Sequence, residues 1–224
     1  MVIIYKIKGR QKDKWENIIT TPMVDQTFYY FFLGLLIALV AFTFFLLAHY
    51  YHKQESKYMQ VLKYQQSKRN ANFSKGFFLK DPKLEFFYGG NEVKIDAIIG
   101  RATITFIEVK LAHPTDKKMC IYKESYISKI GKTLGMKDIE IGFDDFDRNV
   151  VLKGSDENFI RRLLSFDIRE KVLGITDKFK ASINLNDDLL IITFPDLFQD
   201  EQSSDELIDF SLKLVDRIEE ISKY

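Results

Sequence analysis

The sequence predicts an α+β protein: one N-terminal transmembrane helix, a helical stalk, then an antiparallel sheet with short helices and a C-terminal amphipathic helix. Three observations predict it. Phe28 to Ala48 is a run of 21 positions without a charge, and an apolar layer about 30 Å thick needs about 20 helical residues to cross it. Between Phe77 and Phe194, short runs rich in β-branched and aromatic residues are separated by turn signals, the mark of strands. From Asp205 to Lys223, apolar residues recur at three- to four-residue steps, which makes one face of a helix. Strands in antiparallel runs, with helices between and after them, suggest an α+β domain.

Four segments follow from this: 1–26, a membrane-proximal segment; 27–51, the transmembrane helix; 52–74, a basic helical stalk; and 75–224, a soluble domain long enough for its own core. In the first, Val2 to Ile7 suits a short strand. Asp13 can cap a helix that places Trp15, Ile18 and Ile19 on one face and stops before Pro22. A Trp-bearing amphipathic turn beside a span suits the membrane interface. The apolar run is too long for a signal-peptide core, and Tyr50-Tyr51-His52-Lys53 follows it instead of a small-residue cleavage site. Tyr29 and Tyr30 at one end and Tyr50 and Tyr51 at the other sit where amphipathic rings meet headgroups. Gly34, Ala38, Ala41 and Ala48 fall on one stripe, and small residues let a second membrane helix approach closely.

Five Lys or Arg flank the run on each side, so orientation rests on proximity: Lys53 and Lys57 lie nearer the span than Lys12 and Lys14. A single cysteine, Cys120, means no internal disulfide framework. Both features place the C-terminal domain on the cytoplasmic side of the cell (inner) membrane. The stalk, without Gly or Pro up to Asn70, carries Tyr51, Tyr58 and Leu62 at near-heptad spacing. That stripe is too short for a coiled coil. Its Lys53, Lys57, Lys63, Lys68 and Arg69 suit contact with lipid headgroups.

In the soluble part, Leu84–Tyr88 and Glu92–Ile99 flank the turn Gly89-Gly90-Asn91. Thr103–Leu111 and Lys118–Lys123 are further strands, and Ser125–Leu134 reads as a short helix stopped by Gly135. Ile139–Ile141 and Val150–Leu152 are short strands around an acidic turn, Asp144-Asp145-Phe146-Asp147. Ser155 caps one helix, with Asp156 and Glu157 in its first turn. Ser165 or Asp167 caps another, which ends at Gly174. Lys180–Leu185 and Leu189–Phe194 form a hairpin around Asn186-Asp187-Asp188, and the polar Asp200–Ser204 linker leads to the last helix.

Phe146-Asp147-Arg148, the run Val150 to Glu157, Leu163-Leu164 and Ile168…Leu173 come in an order that resembles an uncharacterised group of bacterial single-pass membrane proteins with an α+β domain after the anchor. The similarity spans residues 95–195 and its motifs are structural. The resemblance implies no catalytic residue.

Reactive chemistry finds little footing. Asp144, Asp145 and Asp147 lack the spacing of a calcium loop, and His49, His52 and His113 do not pair as metal ligands. Cys120 sits in an apolar strand, where a thiol behaves as a small hydrophobe. Gly131-Lys132-Thr133 lacks the upstream glycine of a phosphate loop. From residue 75 onward 23 basic residues face 28 acidic ones, so this is not a nucleic-acid surface. No cofactor is expected. The expected function is a non-enzymatic, membrane-anchored interaction module, an accessory or assembly subunit. Its partners would be membrane lipid and other membrane subunits, or further copies of itself. The alternative is a membrane-proximal sensor that binds a lipid headgroup, peptide or small ligand.

Overall fold

A computed structural model describes residues 26–75, 82–99, 103–123 and 136–222. The side chains at positions 26, 27, 51 and 54 lie outside that description, as do the expected N-terminal strand and helix and the expected helix Ser125–Leu134.

Residues Phe73, Leu84, Ile95, Ile107, Ile192, Ile183, Ile121 and Leu152 stand opposite one another on successive strands and form one apolar row across the sheet. β-branched side chains pack well on a pleated surface, and cross-strand pairs are what stabilise a sheet. The strands are β1 (Asn72–Ser74), β2 (Lys83–Tyr88), β3 (Asn91–Ile98), β4 (Ile104–Lys110), β5 (Lys118–Tyr122), β6 (Lys137–Asp138), β7 (Val151–Gly154), β8 (Ser182–Asn186) and β9 (Leu189–Phe194). Their order is β1-β2-β3-β4-β9-β8-β5-β7-β6, and every neighbouring pair is antiparallel.

On the opposite face of β2 to β4 the corresponding row is Glu85, Lys94 and Glu108, with Lys94 3.6 Å from Glu108. Period-two alternation thus separates core from solvent there. β5 departs from it, because Met119, Cys120, Ile121 and Tyr122 are all buried. Gly89 and Gly90 both have positive φ, the backbone that a two-residue hairpin turn needs and glycine supplies.

Among the described residues, five helices accompany the sheet: α1 (Gln26–Arg69), α2 (Asp144–Asp147), α3 (Glu157–Leu163), α4 (Phe166–Phe179) and α5 (Glu201–Ser222). Leu207, Ile208, Leu214, Val215, Ile218 and Ile221 of α5 are buried in the same cluster as the apolar row of the sheet. The C-terminal helix is part of the core.

Several boundaries differ from the sequence-based expectation. The Asp200–Ser204 linker is instead the start of α5: Asp200 Oδ1 accepts from the Ser203 amide at 2.7 Å, as an N-cap does. Asp156, not Ser155, caps α3, accepting from the Phe159 amide at 3.0 Å. The acidic turn at Asp144–Asp147 is a single helical turn. α4 runs past Gly174 to Phe179, because Ile175 and Thr176 continue its buried face and Lys180 closes it with a positive φ. A Cβ at Gly154 would overlap Ile160 Cδ1 and lie 3.1 Å from the Lys118 carbonyl, so the glycine leaves room for this packing.

The chain divides into two compact units, Met1–His52 and Lys53–Tyr224, with the boundary inside α1. The expected solvated stalk and a domain starting at residue 75 give way to a domain starting at Lys53. Tyr58, Val61, Leu62 and Gln65 recur at helical spacing and are buried, and the first three join the domain core. The stripe read as a short heptad fragment finds its partner in the sheet domain. After Arg69, Asn70 takes a positive φ that ends the helix, and β1 enters the sheet.

Candidate functional site: the apolar anchor and the junction at Asp205

Among the described residues, nothing covers the apolar run. Its large side chains from Phe28 to Leu47 are between 40% and 69% exposed. Elsewhere in the described chain, residues of the same types fill a core. Burying one such side chain is worth about 1.5–3 kcal/mol, so an uncovered run of this length needs an apolar surrounding. Among the described residues, α1 is the one helix long and apolar enough to cross a membrane.

Gly34, Ala38, Ala41 and Ala48 lie on this exposed part of α1, and a Cβ added at Gly34 would meet nothing within 4 Å. Tyr29, Tyr30 and Tyr50 are exposed at its two ends. Trp15 and the side chain of Tyr51 lie outside the described residues. His49 stacks on Phe45, with ring centroids 6.4 Å apart.

The five stalk cations divide into two groups. Lys53, Lys57 and Lys63 are exposed. Lys68 and Arg69 instead bind the sheet domain: Lys68 lies 2.8 Å from Asp205, and Arg69 donates to Asp209 at 2.6 Å. Arg69 also sits over the Phe86 ring at 5.7 Å. The Asp205 carboxylate further accepts from Tyr64 at 2.9 Å and from Gln65 Nε2 at 2.8 Å. Gln65 and Ser204 are both buried and hydrogen-bond at 2.7 Å. Partial burial pushes the Asp205 carboxyl up, but the bonds from Lys68, Gln65 and Tyr64 outweigh it and hold the group below the usual carboxylate range. Each polar group taken out of water here has a partner, as burial requires. Below this junction, Tyr58 stacks on Phe198 at 6.3 Å and Phe198 meets Phe194 at 5.1 Å.

Sequence reasoning missed this junction. Gln65 and Asp205 are 140 positions apart, and neither has a local signal that marks it as a partner.

Reactive groups do not gather. Among the described residues, no three His, Cys, Asp or Glu side chains cluster to hold a metal ion. Burial pushes the Cys120 thiol up to about 11, partly offset by Lys153, so it stays protonated and unreactive near neutrality. The Asp147 carboxylate accepts from the amides of Ile141, Gly142 and Phe143 at 2.8–3.1 Å, a structural cap for the preceding loop. A cavity of about 200 Å³ beside Phe179, Phe194 and Phe198 falls below the roughly 300–1,000 Å³ of small-molecule sites, whereas a more open hollow of about 540 Å³ between Lys57–Val61 and Gln199–Gln202 lies within that range.

No protein-family model and no curated protein matches this sequence. In fold the chain is similar to the crystal structure of the mycobacterial trehalose monomycolate transport factor A, TtfA, at a TM-score of 0.53 and 10% identity over 74% of this chain and 94% of that one.

Proposed function

We propose that this chain is a non-enzymatic interaction module anchored in the cell membrane by α1, with its sheet domain in the cytoplasm, serving as an accessory or assembly subunit of a membrane protein complex. The carrying observation is the uncovered apolar half of α1, whose surface suits lipid and the helices of other subunits. The exposed Lys53 and Lys57 just beyond it support a cytoplasmic C-terminus. The fold neighbour is a transport factor, and assistance to a transport complex is one form this role takes.

Mild detergent extraction followed by affinity purification tests the reading. A membrane protein retained at fixed stoichiometry supports it, and a chain that elutes alone under every mild condition refutes it. Ala38→Ile should weaken a close helix contact by about 1–2 kcal/mol and deplete such a partner. A cysteine placed at Lys223 should resist a membrane-impermeant thiol reagent in intact cells, and labelling there would reverse the orientation.

A further inference from the structure

We infer that the cavity beside Phe179, Phe194 and Phe198 binds a free α-amino acid with an apolar side chain. This goes beyond the anchoring role and does not depend on it. Phe194 and Phe198 are buried with ring centroids 5.1 Å apart, and Phe179 meets Phe194 edge to face at 6.3 Å. At about 200 Å³ the space is small for a drug-sized ligand. An apolar cavity of about 150 Å³ nevertheless holds benzene, so one apolar side chain fits here.

Two charged residues line the same cavity and define the rest of the ligand. Lys180 is exposed and has no ion pair among the described residues. Asp196 Oδ1 accepts from the Leu197 amide at 2.7 Å and from Gln199 Nε2 at 3.2 Å, whereas Oδ2 has no donor among the described residues. Lys178, the third charged residue of the lining, is paired with Glu206 at 2.5 Å. An aromatic wall beside one open cation and one open carboxylate oxygen complements a small molecule that carries a carboxylate, an ammonium and an apolar side chain. An acid without an amine would meet a like charge at Asp196, and an amine without an acid would meet one at Lys180.

The site is formed before binding. The Asp196 carbonyl accepts from Thr105 Oγ1 at 2.6 Å, which ties this corner to β4. Lys180 ends α4 with a φ of 56°, so its backbone is set between α4 and β8. Lys180, Pro195 and Asp196 are exposed at the edge of the cavity, and a ligand enters from solvent without unfolding the domain. Groups fixed in advance lose little entropy when a ligand arrives.

The test is equilibrium dialysis of the full chain in nanodiscs against radiolabelled L-phenylalanine, with empty discs as background. L-Phenylalanine should bind saturably, and L-leucine should displace it. Glycine lacks the side chain, N-acetyl-L-phenylalanine the ammonium and L-phenylalaninamide the carboxylate. Each should compete at least about tenfold less well. Lys180→Asn, which tolerates a positive φ, and Asp196→Asn, which keeps the Oδ1 acceptor, should each weaken binding at least about tenfold. Lys171→Asn, which alters an exposed lysine of α4 outside the lining, should leave it unchanged. Should a variant fail to fold, the series of ligands on the wild-type chain still decides. No saturable binding up to millimolar L-phenylalanine would overturn the proposal, as would equal losses in all three variants or none in the two cavity variants. So would equal displacement by N-acetyl-L-phenylalanine, which would make the cavity a seat for the C-terminal residue of a peptide.

Discussion

The two halves of α1 obey opposite rules. From Phe28 to Leu47 the helix is almost wholly apolar and lies open. From Lys53 to Arg69 it is rich in Lys, Gln and Ser, yet it buries Tyr58, Val61, Leu62 and Gln65. In water a helix buries its apolar stripe and exposes its polar one. The second half does this, with Gln65 admitted to the interior because Ser204, Asp205 and Arg69 satisfy its amide. The first half does not, and it is long and apolar enough to cross a membrane. Inside lipid every backbone group is satisfied within the helix and apolar side chains need no protein cover. One continuous helix therefore carries two codes, and the change falls near His52.

The largest effect expected from this contrast concerns fragments. Residues 53–224 should melt cooperatively, whereas 75–224 should not fold. The shorter fragment lacks Tyr58, Val61 and Leu62, each worth about 1.5–3 kcal/mol of burial, against a typical total stability of about 5–15 kcal/mol. Equal thermal melts of the two fragments would return the stalk to solvent and erase the contrast.

A matched pair of substitutions comes next. Leu62→Ala should destabilise the 53–224 unit by about 2–5 kcal/mol. Leu36→Ala in the full-length protein should leave the domain's melt within about 0.5 kcal/mol, because its side chain touches no core. Denaturant unfolding followed by tryptophan-free probes such as far-UV circular dichroism reads both.

The junction gives a smaller effect. Gln65→Ala removes donors to Ser204 and Asp205 and the acceptor for Arg69, and should cost about 1–3 kcal/mol. A melt unchanged by this substitution would make the polar contact incidental to docking.

Acid should separate the halves most gently. Asp205 is held low by its donors, and Lys213 with Ser165 holds Asp167 down to about 2 from a model-compound 3.8. A carboxyl with a lowered folded pKa contributes stability that is present above its unfolded value and lost as pH falls through the folded one. The domain's unfolding temperature should therefore drop between pH 3.8 and about 2. Residues Phe28–Ala48 contain no titratable carboxyl, His, Lys or Arg, so the helicity of the anchor in detergent should not change over that range.

The same division describes what could be read in advance. The anchor, the β2–β3 and β8–β9 hairpins and α5 were legible because their signals are local: an uncharged run, alternation around a turn, a 3.6-residue period. Cap positions slipped by one residue at α3 and by a turn at α5, where Ser155 competes with Asp156 and Asp200 acts ahead of the first apolar residue. The end of α4 was misplaced because Gly174 is a stop signal only when the apolar face stops with it; here Ile175 carries the face onward. Of the proposed contact residues, Gly34, Ala38, Ala41, Ala48, Tyr29, Tyr30 and Tyr50 are exposed on α1. Lys68 and Arg69 pair with Asp205 and Asp209.

Sequence by itself determined the α+β class, the membrane-length helix and the face that each hairpin strand turns inward, since all three depend on side-chain polarity over a few neighbouring residues. Tertiary structure alone decided that β9 lies beside β4 and β5 between β8 and β7, that the stalk belongs to the domain, and that Asp205 receives Tyr64, Gln65 and Lys68. Alternation says which side of a strand is buried but not which strand lies next to it; that follows from closing one apolar row over the whole sheet. A polar side chain likewise favours any interior place that satisfies its hydrogen bonds, and the place is fixed only when distant segments have met.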